Sequence, residues 1–250
     1  MNTDMALREE IQDTGNWLFR WRSYLPLAAI PILIIGLRDF AYPGGNHALD
    51  QVWESIYLLI SFFGLAIRCY TVAHTPKGTS GRNTRKHVAR ELNTTGIYSI
   101  VRHPLYLGNF FIWLGISLFP RLWWVSAIYM LIFWLYYERI MFAEEEFLRK
   151  TFRTEFIDWA SKTPAFLPRF RNWKPSRLPF SLKNVLKREY SGFFAIIVSF
   201  TILEVLGDVF AQGRPILDLM WVIIFSAGLV VYLALRALKK KSGFLSVEGR

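Results

Sequence analysis

Apolar residues fall into six long runs along this chain: Tyr24 to Ala41, Val52 to Val72, Leu105 to Phe119, Leu122 to Phe142, Phe193 to Phe210 and Ile216 to Leu238. Runs of this kind predict helices that cross a bilayer, because a hydrocarbon core of about 30 Å takes about twenty residues at ~1.5 Å each. The third run, closed by Pro104 and Pro120, is short and predicts a helix that tilts steeply or crosses only in part. The expected fold is therefore all-α: a polytopic membrane helical bundle of about six transmembrane helices, with cytoplasmic interfacial loops and an interfacial helix.

The polar positions orient this bundle. Arg8, Arg20 and Arg22 precede the first run, and only Arg38 lies in the first loop. Lys77, Arg82, Arg85, Lys86, Arg90 and Arg102 fill the second connection, whereas the third and fifth carry only Arg121 and Arg214. The fourth, Ala143 to Tyr190, is densely basic. The positive-inside rule then places both termini and the second and fourth connections in the cytoplasm, a parity that six spans satisfy. Trp53, Trp123, Trp124 and Trp221 fall near the outer interface, and Trp17, Trp21 and Tyr24 near the inner one. The first ten residues, with Asp4, Glu9 and Glu10, lack the basic start and small-residue cleavage site of a signal peptide, so the first helix is expected to stay.

Composition removes several classes. With 53% hydrophobic and 17% aromatic residues and 20% charged, the chain is neither disordered nor an ordinary soluble domain. Cys69 is its sole cysteine, which excludes an intrachain disulfide. Thirty Lys plus Arg against nineteen Asp plus Glu give a net charge of +11, which suits nucleic acid or an anionic membrane face. Confinement of that charge to alternate connections assigns it to the membrane, and no nucleic-acid partner is expected. No repeat divides the chain. Pro164, Pro168, Pro175 and Pro179 predict an irregular interfacial segment from Thr163 to Pro179. Three regions result: 1–92 with two helices and a basic loop, 93–170 as a core with two more, and 171–250 as interfacial linker and terminal hairpin.

Candidate chemistry clusters in three cytoplasmic stretches. Lys77 to Thr84, with Gly78, Gly81 and Arg82, reads as an anion cradle or as a solvated loop. Gly96 to Gly108 runs into the third helix, with Pro104 suited to its first turn, so Arg102 and His103 sit at a helix N-terminus that favours an anion. The alternative is that Arg102 snorkels to lipid phosphate and His103 merely caps the helix. Glu144, Glu145 and Glu146 follow the fourth helix, where carboxylates beside an anionic surface are explained by a cationic ligand, by nearby arginines or by a solvated helix face. An apolar stripe of Phe147, Leu148, Phe152, Phe156 and Trp159 follows them.

Together, R-H-P-x-Y-x-G at Arg102 to Gly108, paired acids about forty residues later, a Phe, two aromatics and the closing P-x-F-x-P at Pro164 to Pro168 resemble the isoprenylcysteine carboxyl methyltransferase family and its phospholipid methyltransferase relatives. The resemblance covers about a third of the chain. It implies an S-adenosylmethionine site at the cytoplasmic face, with Tyr98, His103, Pro104, Tyr106, Gly108, Glu144 and Glu145 binding the cofactor. Arg102, His103 and Glu145 are then the candidate catalytic residues, and Arg82 and Arg102 the candidate substrate-binding ones; no metal ligand is singled out. The chain departs from the family where Gly commonly follows the Phe, since Arg153 stands there, and where two tyrosines are common, since Phe156 and Trp159 replace them.

The function expected is O-methylation of an anionic group on a membrane lipid or lipidated substrate, an isoprenylcysteine carboxylate or a lipid phosphate such as that of lipid A. Phosphatidylethanolamine N-methylation and nicotinamide-dependent reduction are enzymatic alternatives. A transporter or lipid-binding protein is a third, motivated by Glu54, Arg68, Glu138, Glu204 and Asp208 in or near the spans. Arg68 and Glu138 lie at matching depths on their runs and are expected to pair.

Overall fold

The structure, a computed structural model, describes residues 6–76, 89–216, 218–241, 243–245 and 247. Among them regular structure is helical throughout: α1 (Leu7–Trp21), α2 (Ile30–Leu37), α3 (His47–Ala73), α4 (Pro104–Leu118), α5 (Trp123–Ala160), α6 (Leu182–Gln212) and α7 (Leu219–Lys241). Four of these, α3, α5, α6 and α7, are long and apolar enough to cross a membrane. The expectation of a membrane helical bundle holds, and the count of six gives way to four long helices with two shorter apolar ones, α2 and α4. Prolines explain the difference. Pro26 and Pro31 break the first run into a 3-10 turn at Leu25–Ala29 and the eight-residue α2, since proline removes an N–H and clashes with the preceding turn. Pro104 opens α4 at its first turn, and Pro120 follows its end.

Caps fix where the long helices begin. The Asn46 side-chain oxygen accepts hydrogen bonds from the N–H groups of Ala48 and Leu49 at 2.9 and 3.2 Å, starting α3. Ser181 accepts from Asn184 N–H and starts α6, which ends at Gly213 in the left-handed region, φ 71°. Helices α3 and α4 approach with glycine on both: a Cβ on Gly108 would lie 2.7 Å from the Gly64 carbonyl oxygen and 2.5 Å from Arg68 Cγ. Small residues there allow the backbone contact that drives helix association in lipid.

Two aromatic clusters fill the interior. Phe40, Phe119 and Phe200 are buried together, with Phe40 and Phe119 stacked at 5.7 Å. Phe19, Tyr106, Phe133, Tyr137 and Ile140 form the second, nearer the polar end of α5. Trp221 packs inside against Phe200 and donates its indole N–H to Glu54, so it leaves the interfacial belt expected of it. Trp17, Trp21, Trp53 and Trp123 are exposed, as belt residues should be.

Arg68 does not pair with Glu138. Its guanidinium makes a two-pronged contact with Glu189 of α6, at 2.9 and 3.0 Å, and donates to Asn109 Oδ1 at 2.8 Å. Depth along a run says nothing of rotation about the helix axis: α6 lies against α3, and Glu138 sits on an exposed face of α5.

Candidate active site

The site is built where three segments converge. Residues 96–103 run alongside residues 163–174 in an antiparallel pairing: Gly96 N–H donates to Lys174 O, Arg102 N–H to Pro164 O, His103 N–H to Ala165 O and Arg169 N–H to Ile100 O. Pro164 serves this pairing through its carbonyl, the one backbone group a proline keeps. Between the prolines, Phe166 inserts among Phe110, Phe133 and Trp134. The P-x-F-x-P pattern thus reads as an aromatic anchor flanked by residues that resist becoming helix.

This closing segment sets the start of α4 against α5, whose apolar run ends at Phe142 and continues as a polar helix outside the span. Glu145 is the hub: its Oε1 accepts from Arg102 Nε at 2.9 Å and lies 2.8 Å from His103 Nε2. Arg102 Nη1 also donates to the carbonyls of Ala160 and Thr163, at 2.8 and 3.1 Å, so one guanidinium ties α5's acid to the turn that follows the helix. Tyr106 donates to Glu144 Oε2 at 2.9 Å and stacks on the His103 ring, while His103 Nδ1 stands 3.7 Å from the same carboxylate oxygen. Burial pushes the Glu145 carboxyl up, but hydrogen bonds and charges from His103 and Arg102 outweigh it and hold it below the ordinary glutamate range. Burial drives the Tyr98 phenol well above its usual value, and Glu144 adds to the effect.

Of the residues singled out in the sequence, Arg102, His103, Tyr106, Glu144 and Glu145 come together. Pro104 is the first residue of α4. Tyr98 joins through its backbone, accepting the Trp159 indole N–H at 3.0 Å. Gly108 faces α3, against Gly64 and Arg68. Arg82 and the Lys77 to Thr84 stretch lie outside the described residues. Glu146, the third acid, is buried and takes the Arg8 guanidinium of α1 at 2.6 Å. A pocket of about 400 Å³ adjoins Arg102, walled by residues Ala160 to Ala165 and Leu167 to Arg169.

Arg153 explains a departure from the family pattern. It holds φ 47°, ψ −115° inside α5, a conformation that glycine adopts freely and other residues do not. The break turns the last helical turn so that Phe156 is buried and Trp159 reaches Tyr98. An indole N–H therefore makes a hydrogen bond at one position where a phenol is common, and Phe156, 1% exposed, fills an apolar slot.

Sequence reasoning missed a polar chain beneath the cluster. Arg68 bonds Asn109, whose amide donates to Tyr137 at 2.8 Å, and the Tyr137 ring packs on Tyr106. The signal was the i, i+3 spacing of Tyr106 and Asn109, which puts both on one face of α4.

Residues 62–155 match the phospholipid methyltransferase family. The nickel-cobalt-cadmium resistance protein NccN of Alcaligenes xylosoxydans xylosoxydans is 35% identical over 126 residues, 50% of this chain and 56% of that protein. The cobalt-zinc-cadmium resistance protein CzcN of Cupriavidus metallidurans is 33% identical over the same shares. Protein-S-isoprenylcysteine O-methyltransferase of Saccharomyces cerevisiae is 31% identical over 154 residues, 59% of this chain and 64% of that one. The chain thus spans a little over half the length of the first two relatives. No solved structure matches it significantly.

Proposed function

We propose, from the match of residues 62–155 to the phospholipid methyltransferase family, that this chain is an integral-membrane methyltransferase. It uses S-adenosylmethionine to methylate an anionic group, a carboxylate or a phosphate, on a lipid or lipidated substrate at the cytoplasmic face. The observation that supports this reading is the convergence of Arg102, His103, Tyr106, Glu144 and Glu145 at the edge of an apolar bundle.

Bound there, S-adenosylmethionine supplies a methyl group on a sulfonium, already activated for displacement. The residues fit it: Glu144, with its side chain about a third exposed, offers a negative charge to a cationic ligand, and on the other side of Arg102 an open pocket of about 400 Å³ is walled by the 160–169 segment. The protein's share is orientation and exclusion of water. Glu145 fixes the His103 ring and the Arg102 guanidinium; Arg102 in turn holds the 160–163 turn that walls the pocket.

An anionic acceptor needs no base near neutral pH, whereas an ammonium must first lose a proton. Both His103 ring nitrogens face carboxylates of the protein itself, Glu145 at Nε2 and Glu144 near Nδ1, and neither is turned toward an incoming amine, which favours a carboxylate or phosphate over phosphatidylethanolamine. The yeast relative, a protein-S-isoprenylcysteine O-methyltransferase, supports an oxygen of an isoprenylcysteine as the acceptor. The metal-resistance names of the two bacterial relatives describe those proteins, and the donors of this cluster are engaged with one another. The acceptor is expected to enter laterally from the bilayer, because a lipid leaving the membrane exposes its tails at about 0.8 kcal/mol per CH₂.

The test is transfer of label from methyl-labelled S-adenosylmethionine into lipid extracted after incubation with the purified protein, with NADPH consumption followed in parallel. Label in the lipid fraction is expected, and His103→Ala and Glu145→Ala should each lose most of it with membrane insertion unchanged. NADPH consumption without label would replace this reading with a reductase.

A further inference from the structure

At the opposite end of the bundle, well away from His103, lies a second polar cluster that methyl transfer does not use. Glu54 and Arg68 are separated by fourteen residues of α3, about 21 Å along its axis, and Glu54 belongs to the far end. There α3 contributes His47, Asp50 and Glu54, α6 contributes Glu204 and Asp208, and Asp218 stands just before α7. Asp50, Glu54, Glu204 and Asp208 are at most 1% exposed. So many buried carboxylates are costly unless something positive joins them.

Their hydrogen bonds follow one pattern. Arg121 holds one oxygen of Asp50, the Trp221 indole holds Glu54 Oε2, and Tyr42 holds Asp208 Oδ1. Among the described residues the other oxygen of each, Asp50 Oδ2, Glu54 Oε1 and Asp208 Oδ2, is buried with no donor, and neither oxygen of Glu204 has one, its near neighbours being the carboxylates of Glu54 and Asp218. His47 Nε2 lies 3.1 Å from Asp218 Oδ2 yet forms no hydrogen bond with it, as two ligands facing a common point would. Gln51 donates to the same Asp218 Oδ2 at 3.0 Å. One oxygen oriented by an outer donor and the other left open is how metal-binding carboxylates are held.

Donor atoms of Asp50, Glu54 and Glu204 lie within 4.8 Å of one another, as do those of His47, Glu204 and Asp218. We propose that this cluster binds a divalent cation, centred on Glu204, which both groups share and whose two oxygens are both open. Imidazole together with carboxylates selects a borderline transition cation such as Zn²⁺, Co²⁺ or Ni²⁺ over Mg²⁺ or Ca²⁺. The ion cross-links the start of α3 to the ends of α6 and its loop, and its charge relieves the repulsion among the acids. The competing account is a proton shared between Glu54 and Glu204.

The experiment uses the full chain in lipid nanodiscs, stripped with EDTA and then titrated separately with Zn²⁺, Co²⁺, Ni²⁺, Mg²⁺ and Ca²⁺. About one equivalent of a transition cation is expected by elemental analysis, with a rise in melting temperature on addition. Co²⁺ bound to the wild type should give visible absorption typical of nitrogen and oxygen ligands, a readout that needs no variant. Glu204→Gln should weaken binding at least tenfold and abolish the thermal response, while label transfer at the distant site persists in EDTA. No stoichiometric ion and no thermal response in the wild type would overturn the site in favour of the shared proton. A response to Mg²⁺ or Ca²⁺ alone would overturn the transition-cation assignment, and an undiminished response in a folded Glu204→Gln would remove Glu204 from it.

Discussion

At the scale of single residues, Glu145 carries the sharpest consequence because one carboxylate oxygen meets both the Arg102 guanidinium and the His103 ring. Its folded carboxyl lies below the ordinary value of 4.5, so it binds protons less readily than in the unfolded chain. The resulting stability is present above about pH 4.5 and is lost as pH falls through the lower folded value. Glu145→Gln should therefore melt below the wild type at pH 7 and approach it as pH falls below the ordinary glutamate range, a convergence that thermal scans across pH would show. Arg153 gives a second expectation. Its φ of 47° is strained for any residue with a Cβ, and relief of about 1–3 kcal/mol is partly offset by the greater freedom of an unfolded glycine. Arg153→Gly should stabilise by about 1 kcal/mol with methyl transfer retained; a lower melting temperature would refute the strain.

Among the elements, α3 and α4 are held together by absence of bulk. Gly64→Val would drive a branched side chain into the α4 backbone at Gly108 and Ile112, and overpacking of this kind costs about 1–3 kcal/mol. The joint between α3 and α6 is ionic instead: removing Arg68 leaves Glu189, 6% exposed, without its partner, at about 3–5 kcal/mol. A double-mutant cycle with Arg68→Met and Glu189→Gln should show the pair recovering much of either single loss, and additive losses would separate them. The sequence made the elements legible because apolar runs reveal span and composition. It did not reveal their rotation, and so Arg68 was matched to the wrong acid. Arg102, His103, Glu144 and Glu145 were legible because each pair is contiguous and borders a run. Asp50, Glu54, Glu204 and Asp218 come together only when α3 and α6 pack, and no short spacing announces that.

For the whole molecule, the helical bundle has two polar ends that differ in kind. At one, Arg102 and His103 answer the acids; at the other, acids outnumber the cations that face them. Helix α5 joins the first end to the bilayer without interruption: from Trp123 to Phe152 it is about 45 Å long at ~1.5 Å per residue, and Glu144 and Glu145 lie two and three residues beyond Phe142, the end of its apolar run. An uninterrupted rod cannot shift its polar segment independently of its apolar one. The thickness of the surrounding lipid therefore sets how deep Glu144 and Glu145 ride. In vesicles of increasing acyl-chain length, methyl transfer should pass through a maximum, falling in thick bilayers as the acids are drawn toward hydrocarbon and in thin ones as they lift away from the acceptor. Such an enzyme would be tuned to the membrane it lives in, reading bilayer thickness through hydrophobic mismatch along a single helix.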